Sequence, residues 1–75
     1  LSKKDYANLI YLQHGNIGSD VQEIQQILKN KGFDPGITNG RFRSATKLAV
    51  EKFQAKNGLE IDGVVGPLTY AKLMS

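Results

Sequence analysis

Seventy-five residues carry ten Lys and Arg against seven Asp and Glu, a net charge of +3, with 40% apolar side chains and no cysteine. A chain this short buries only about 60–65% of the surface it exposes when unfolded, so it makes one small domain with an economical core. Disulfides and thiolate metal sites are excluded, the single histidine (His14) cannot build the usual zinc site, and no apolar run reaches the roughly 20 residues that span a bilayer.

The opening, LSKKDYANLIYL, has neither Met nor a signal-peptide pattern, and reads as a mature or excised piece of something longer. Targeting signals therefore leave the compartment undetermined, and the lack of cysteine suits the cytosol or a bacterial exterior equally. A short first helix is expected over Lys3 to Leu12, with Ser2 as cap and Tyr6, Leu9 and Ile10 as its face. His14 precedes Gly15 in a loop and is read as plain surface.

Apolar residues then recur at Val21, Ile24, Ile27 and Leu28, one arc of about 120° on an amphipathic helix. Ser19 and Gln22 have capping-box spacing, with Asp20 and Glu23 offering a start one residue later. Gly32 ends the helix, and Phe33 is placed to fold back on Leu28. Asp34-Pro35-Gly36 suits a tight turn. A second helix is expected from Ser44, carrying Ala45, Leu48, Ala49, Val50 and Phe53 on an arc wide enough to pack on two sides. It stops at Asn57-Gly58, where Leu59 repeats the fold-back on Phe53. A last helix starts at Pro67, a residue suited to the first helical position, and presents Leu68, Ala71 and Leu73.

The chain repeats itself. VQEIQ (21–25) matches VEKFQ (50–54), each copy continues into Gly-apolar, and NGRFRSAT (39–46) matches DGVVGPLT (62–69). A helix–turn–helix unit of about 25 residues cannot bury its apolar face alone, but two related units bury against each other. The Asx side chain can satisfy backbone N–H groups of its turn, and Thr46 and Thr69 sit where a hydroxyl reaches the turn, so both are read as structural. Gln25 and Gln54 border the core faces of their helices, where bonding to loop backbone is favoured over ligand contact.

In the order and spacing of these residues the chain resembles the bacterial peptidoglycan-binding domain found beside the catalytic domains of cell-wall hydrolases, phage lysins and spore-cortex enzymes. The resemblance runs through Gly18-x-Asp20-Val21, Ile24-Gln25, Leu28, Gly32-Phe33, Asn39-Gly40-x-Phe42, Thr46, Ala49-Val50, Phe53-Gln54, Gly58-Leu59, Asp62-Gly63-x-Val65-Gly66-Pro67, Thr69 and Leu73. With Leu12-x-x-Gly15 it covers residues 11–74. It implies an all-α fold: a small orthogonal three-helix bundle with an internal twofold repeat, here with the short N-terminal helix in front. Residues 1–75 would form a single domain, 1–10 being an extension or linker. The matrix metalloproteinase propeptide shares this fold, but its role needs a cysteine that this chain lacks.

The implied function is a non-catalytic wall-binding module that targets an attached hydrolase to murein, extracellular or on the bacterial wall, or within a phage lysin acting there. No metal or cofactor is implied, and a monomer without membrane contact is expected. Two positions depart from the family pattern. Asn39 stands where Asp is usual, a mild change, and Arg43 stands where Gly is usual and where the second repeat keeps Gly66. A cation at a helix N-terminus opposes the helix dipole at a cost of about 0.3–1 kcal/mol, which a docked anion would offset. Arg41 and Arg43 could clamp a stem-peptide carboxylate at that helix start, with Asn39 beside them; the alternative is two solvated arginines near a turn. Tyr70 could stack on a sugar face or pack into the core.

Two other functional classes fit the residues less well. Catalysis needs a carboxylate or histidine held in a cleft with a shifted pKa. The acids here fall at helix starts, turns and charged faces without a pair at one site. Nucleic-acid binding draws on the basic second half, residues 38–75, which holds all of the net charge. Against it, Lys47, Lys52 and Lys56 are spread around their helix, and that helix is apolar over too wide an arc for a recognition helix.

Overall fold

The computed structural model describes residues 11–75. Three helices follow one another: α1 (Ser19–Asn30), α2 (Ser44–Lys56) and α3 (Pro67–Met74). The fold is all-α, and α1 packs against both α2 and α3. Most of the helix expected at Lys3–Leu12 lies outside the described residues. Its expected end is not helical, because Leu12 forms an antiparallel bridge with Val65.

The buried faces follow helical spacing. Helix α1 buries Val21, Ile24, Gln25 and Leu28, and α2 buries Thr46, Ala49, Val50, Phe53 and Gln54. Positions i, i+3, i+4 and i+7 lie on one stripe, so α2 packs through a single face rather than the two expected. Ala45 is exposed and Leu48 is 52% exposed, while polar Thr46 and Gln54 take core positions. Helix α3 differs more. It buries Thr69, Tyr70 and Leu73, whereas Leu68 is 77% exposed and Ala71 also faces solvent. Only Leu73 of the expected α3 face is in the core.

Both predicted helix ends form as read. After α1 the Phe33 amide donates to the Leu28 carbonyl (2.8 Å) and Gly32 to Lys29 (3.1 Å). After α2 the Leu59 amide donates to Gln54 (2.9 Å) and Gly58 to Ala55 (3.4 Å). These are paired Schellman closures, and each turns an apolar residue back towards the core. Phe33 then meets Phe53 edge-to-face, with ring centroids 5.5 Å apart.

The predicted capping box does not form. Gly18 occupies the N-cap of α1, and no side chain caps that end. The Gln22 side-chain Nε2 instead donates to the Thr38 carbonyl at 3.1 Å, a tertiary acceptor that local spacing cannot reveal. Gly18 itself donates to the Gly40 carbonyl (2.8 Å), which ties the start of α1 to the first Asx-Gly loop.

Residues 12–18 run across both loops. Leu12 exchanges two backbone bonds with Val65 (3.0 and 2.7 Å), Gly15 donates to Phe42 (2.8 Å), and Phe42 donates to Asn16 (2.9 Å). Phe42 and Val65, equivalent positions of the two repeats, are both fully buried. The segment before α1 thus stitches the repeats together along their loop edges.

Candidate functional site

Each repeat builds its loop around one buried glutamine. In the first, Gln25 is fully buried; its carbonyl oxygen accepts from the Gly40 amide (2.8 Å), and its side-chain N–H groups donate to the Arg41 carbonyl (2.9 Å) and the Thr46 hydroxyl (3.0 Å). The Thr46 hydroxyl in turn donates to the Pro35 carbonyl (3.0 Å). In the second, Gln54 accepts from Asp62 (3.1 Å) and Gly63 (3.0 Å) and donates to the Val64 carbonyl (3.0 Å), the Thr69 hydroxyl (3.1 Å) and the Asp62 carboxylate (2.8 Å). No buried side-chain nitrogen or oxygen among the described residues lacks a partner. Both glutamines and both threonines therefore act on the scaffold, as the sequence reading held.

The Asx side chains close their turns as expected. Asn39 Oδ1 accepts from the Arg41 amide (3.0 Å), and Asp62 Oδ1 accepts from the Val64 amide (2.9 Å). Those bonds, the Val64 amide first and Gln54 next, lower the Asp62 carboxyl pKa below its ordinary value, with partial desolvation opposing them. The glycine after Asn39 is required by space as well as by backbone. Gly40 has φ +79°, and a Cβ there would lie 2.8 Å from the Gly18 carbonyl oxygen.

Two grooves open beside these loops. The first, about 280 Å³, is lined by Pro35, Gly36, Ile37, Asn39, Arg41, Arg43, Ala45 and Thr46. The second, about 210 Å³, is lined by Tyr11, Leu59, Glu60, Asp62, Val64, Gly66, Pro67, Leu68 and Thr69. Seven of the eight residues lining the first lie 23 positions before a residue lining the second; Asn39 answers to Asp62, Arg41 to Val64 and Arg43 to Gly66. One architecture is thus written twice with different side chains at the rim.

The structure brings Asn39, Arg41 and Arg43 to one groove at the N-terminus of α2. Arg43 is the N-cap residue, no side chain caps this end, and the first turn holds no acid. An uncapped helix start and two exposed arginines thus share one groove, a concentration of positive charge. The backbone of Arg41 is held from both sides, by Asn39 and by Gln25, so its side chain projects from a fixed base.

Tyr70 is not part of it. The ring is 2% exposed within the core, so it cannot present a face to a sugar. Its place on α3 explains the difference: the helix turns Thr69, Tyr70 and Leu73 inward and Leu68 outward. The exposed aromatic at a groove is Tyr11, 64% exposed, which the sequence reading passed over. Its position depends on the Leu12–Val65 bridge, for which no local sequence signal exists.

Comparison with known proteins accords with this architecture. A family model described as "Putative peptidoglycan binding domain" matches residues 17–73. The spore cortex-lytic enzyme of Halalkalibacterium halodurans is 44% identical over 62 residues, covering 83% of this chain and 19% of that enzyme. Among solved structures, the SleB N-terminal domain superposes with a TM-score of 0.84 at 40% identity, covering 87% of this chain and 89% of that one. The endolysin of Burkholderia phage AP3 gives 0.84 at 36% identity, covering 88% of this chain and 25% of that protein. This chain thus spans about a fifth of the spore enzyme it matches, and none of these comparisons supports nucleic-acid binding. By the family match over 17–73, the shared fold and the duplicated loop architecture, the chain belongs to the peptidoglycan-binding-domain family, a binding module carried by cell-wall hydrolases.

Proposed function

We propose that this domain anchors an attached hydrolase to murein, and that the groove at the start of α2 receives a carboxylate of the stem peptide. Residues 1–75 act as one monomeric, non-catalytic domain of an enzyme working on the wall. The observation that carries the reading is the convergence of Arg41 and Arg43 on one open groove at an uncapped helix N-terminus. A carboxylate there would answer both guanidinium groups and the helix dipole, offsetting the cost of a cation at the helix start. The polymer's repetition, together with the attached enzyme, supplies the residence time that one shallow site does not.

The test is affinity for soluble muropeptides at fixed salt. Arg41→Ala and Arg43→Ala should each weaken binding roughly three- to tenfold, the range for exposed charge-assisted contacts. Unchanged affinity in both would remove the groove from the reading. Retention on insoluble murein sacculi, compared with a DNA column at two salt concentrations, tests the wider claim. Steeply salt-dependent DNA retention without murein retention would reverse it.

A further inference from the structure

The geometry points to the second groove as a separate subsite for a primary ammonium group on an aliphatic chain, with Glu60 and Asp62 taking the charge and Tyr11 and Leu68 flanking the chain. This rests on the peptidoglycan reading, in which the occupant is the amine-bearing side chain of the stem peptide. Tyr11 lies outside the residues matched by the family model.

The two grooves correspond in position and differ in sign. At the first rim stand Arg41 and Arg43 with no acid; at the second stand Glu60 and Asp62 with no base. Ile37 of the first groove becomes Glu60, Asn39 becomes Asp62, Arg41 becomes Val64 and Arg43 becomes Gly66, so the exchange removes both cations and adds two acids. The nearby cation Lys47 covers Gly63, whose Cβ would lie 2.9 Å from the lysine Cγ, and does not line the groove. Bonds to the Val64 amide and Gln54 favour the ionised form of Asp62.

Gly66 shows why Tyr11 stands where it does. Its φ of −91° is open to any residue, so backbone conformation does not call for glycine. A Cβ at Gly66 would lie 3.2 Å from Tyr11 Cε1, a tight approach that the exposed ring would have to relieve by a shift of a few tenths of an ångström. The missing side chain lets the ring settle against the loop while the tyrosine stays 64% exposed. Leu68 is 77% exposed on the same groove and gives it an apolar wall. Apolar walls for methylenes, an aromatic ring and two carboxylates together match an alkylammonium by charge and by surface.

The experiment is a chemical-shift titration of the chain with three probes: a stem pentapeptide bearing a free side-chain amine, the same peptide acetylated at that amine, and an N-acetylglucosamine oligomer. The free-amine peptide should shift amides at 59–69 as well as 39–46. Acetylation should weaken binding roughly three- to tenfold and abolish the shifts at 59–69 while keeping those at 39–46. Glu60→Gln and Tyr11→Ala, both at exposed positions, should reproduce the loss for the free-amine peptide and leave the acetylated peptide's affinity unchanged. Equal binding of the two peptides, or shifts at 59–69 with the sugar oligomer alone, overturns the subsite. If sacculi still retain the domain in that case, only the subsite fails; if they do not, the peptidoglycan reading fails with it.

Discussion

Gln25 and Gln54 each spend a buried amide on holding a loop that the local sequence would leave loose. Replacing Gln54 with Ala strips the Gly63 amide and the Val64 carbonyl of their partners together. Unmet buried groups cost about 1–3 kcal/mol each, so a loss of about 2–4 kcal/mol is expected in urea denaturation. That is a large part of the stability of a domain this size. Gln54→Glu should not recover it, since a buried carboxylate cannot donate to Val64 and would face the Asp62 carboxylate that Gln54 reaches at 2.8 Å. Asp62 makes a different prediction. Its folded pKa lies below the ordinary value of 3.8, so its contribution is fully present above that value and is lost as pH falls through the folded pKa. Asp62→Asn should therefore flatten the stability profile below about pH 4 while keeping the turn. Asn39 already closes the equivalent turn in the first repeat without a charge. A thermal-melt series from pH 2 to 7 on both proteins checks this, and parallel profiles would refute it.

At the scale of elements, α3 is where sequence and structure part. Pro67 marks its start and spacing suggests Leu68, Ala71 and Leu73 as its face, yet it turns Thr69, Tyr70 and Leu73 inward. Eight residues are too few for periodicity to fix the phase of a helix. The tie between Thr69 and Gln54 and the insertion of Tyr70 into the core set it instead. Leu73→Ala should accordingly cost about 2–4 kcal/mol, whereas Leu68→Ala should change stability by no more than about 0.5 kcal/mol. Equal losses would restore the face suggested by spacing. The buried stripes of α1 and α2 were legible only in their apolar members. Each also contains a glutamine, and α2 a threonine, whose burial makes sense only once the loops they bind are in view. The helix ends were fully legible, because Gly32-Phe33 and Gly58-Leu59 act over a single turn.

Over the whole molecule, two loop grooves of opposite charge lie on a scaffold joined through the segment 12–18. Shallow open sites bind weakly one at a time, so two tandem copies of the domain should be retained on sacculi at least about tenfold better than one, with little change towards a monomeric muropeptide. Equal retention would mean that repetition along the polymer contributes nothing. Sequence alone determined the helical class, the duplication, the turns and the helix ends, and it placed Asn39, Arg41 and Arg43 at one helix start. Each of those rests on contacts within a turn or two of chain, where residue type and spacing act directly. Tertiary structure decided that Tyr70 is core and Tyr11 is rim, that α1 begins against the Gly40 loop rather than at a capping box, and that the repeats differ in charge at the same groove. These depend on pairings such as Leu12 with Val65 and Gln22 with Thr38, between residues far apart in the chain, where packing chooses the partner and local preference does not.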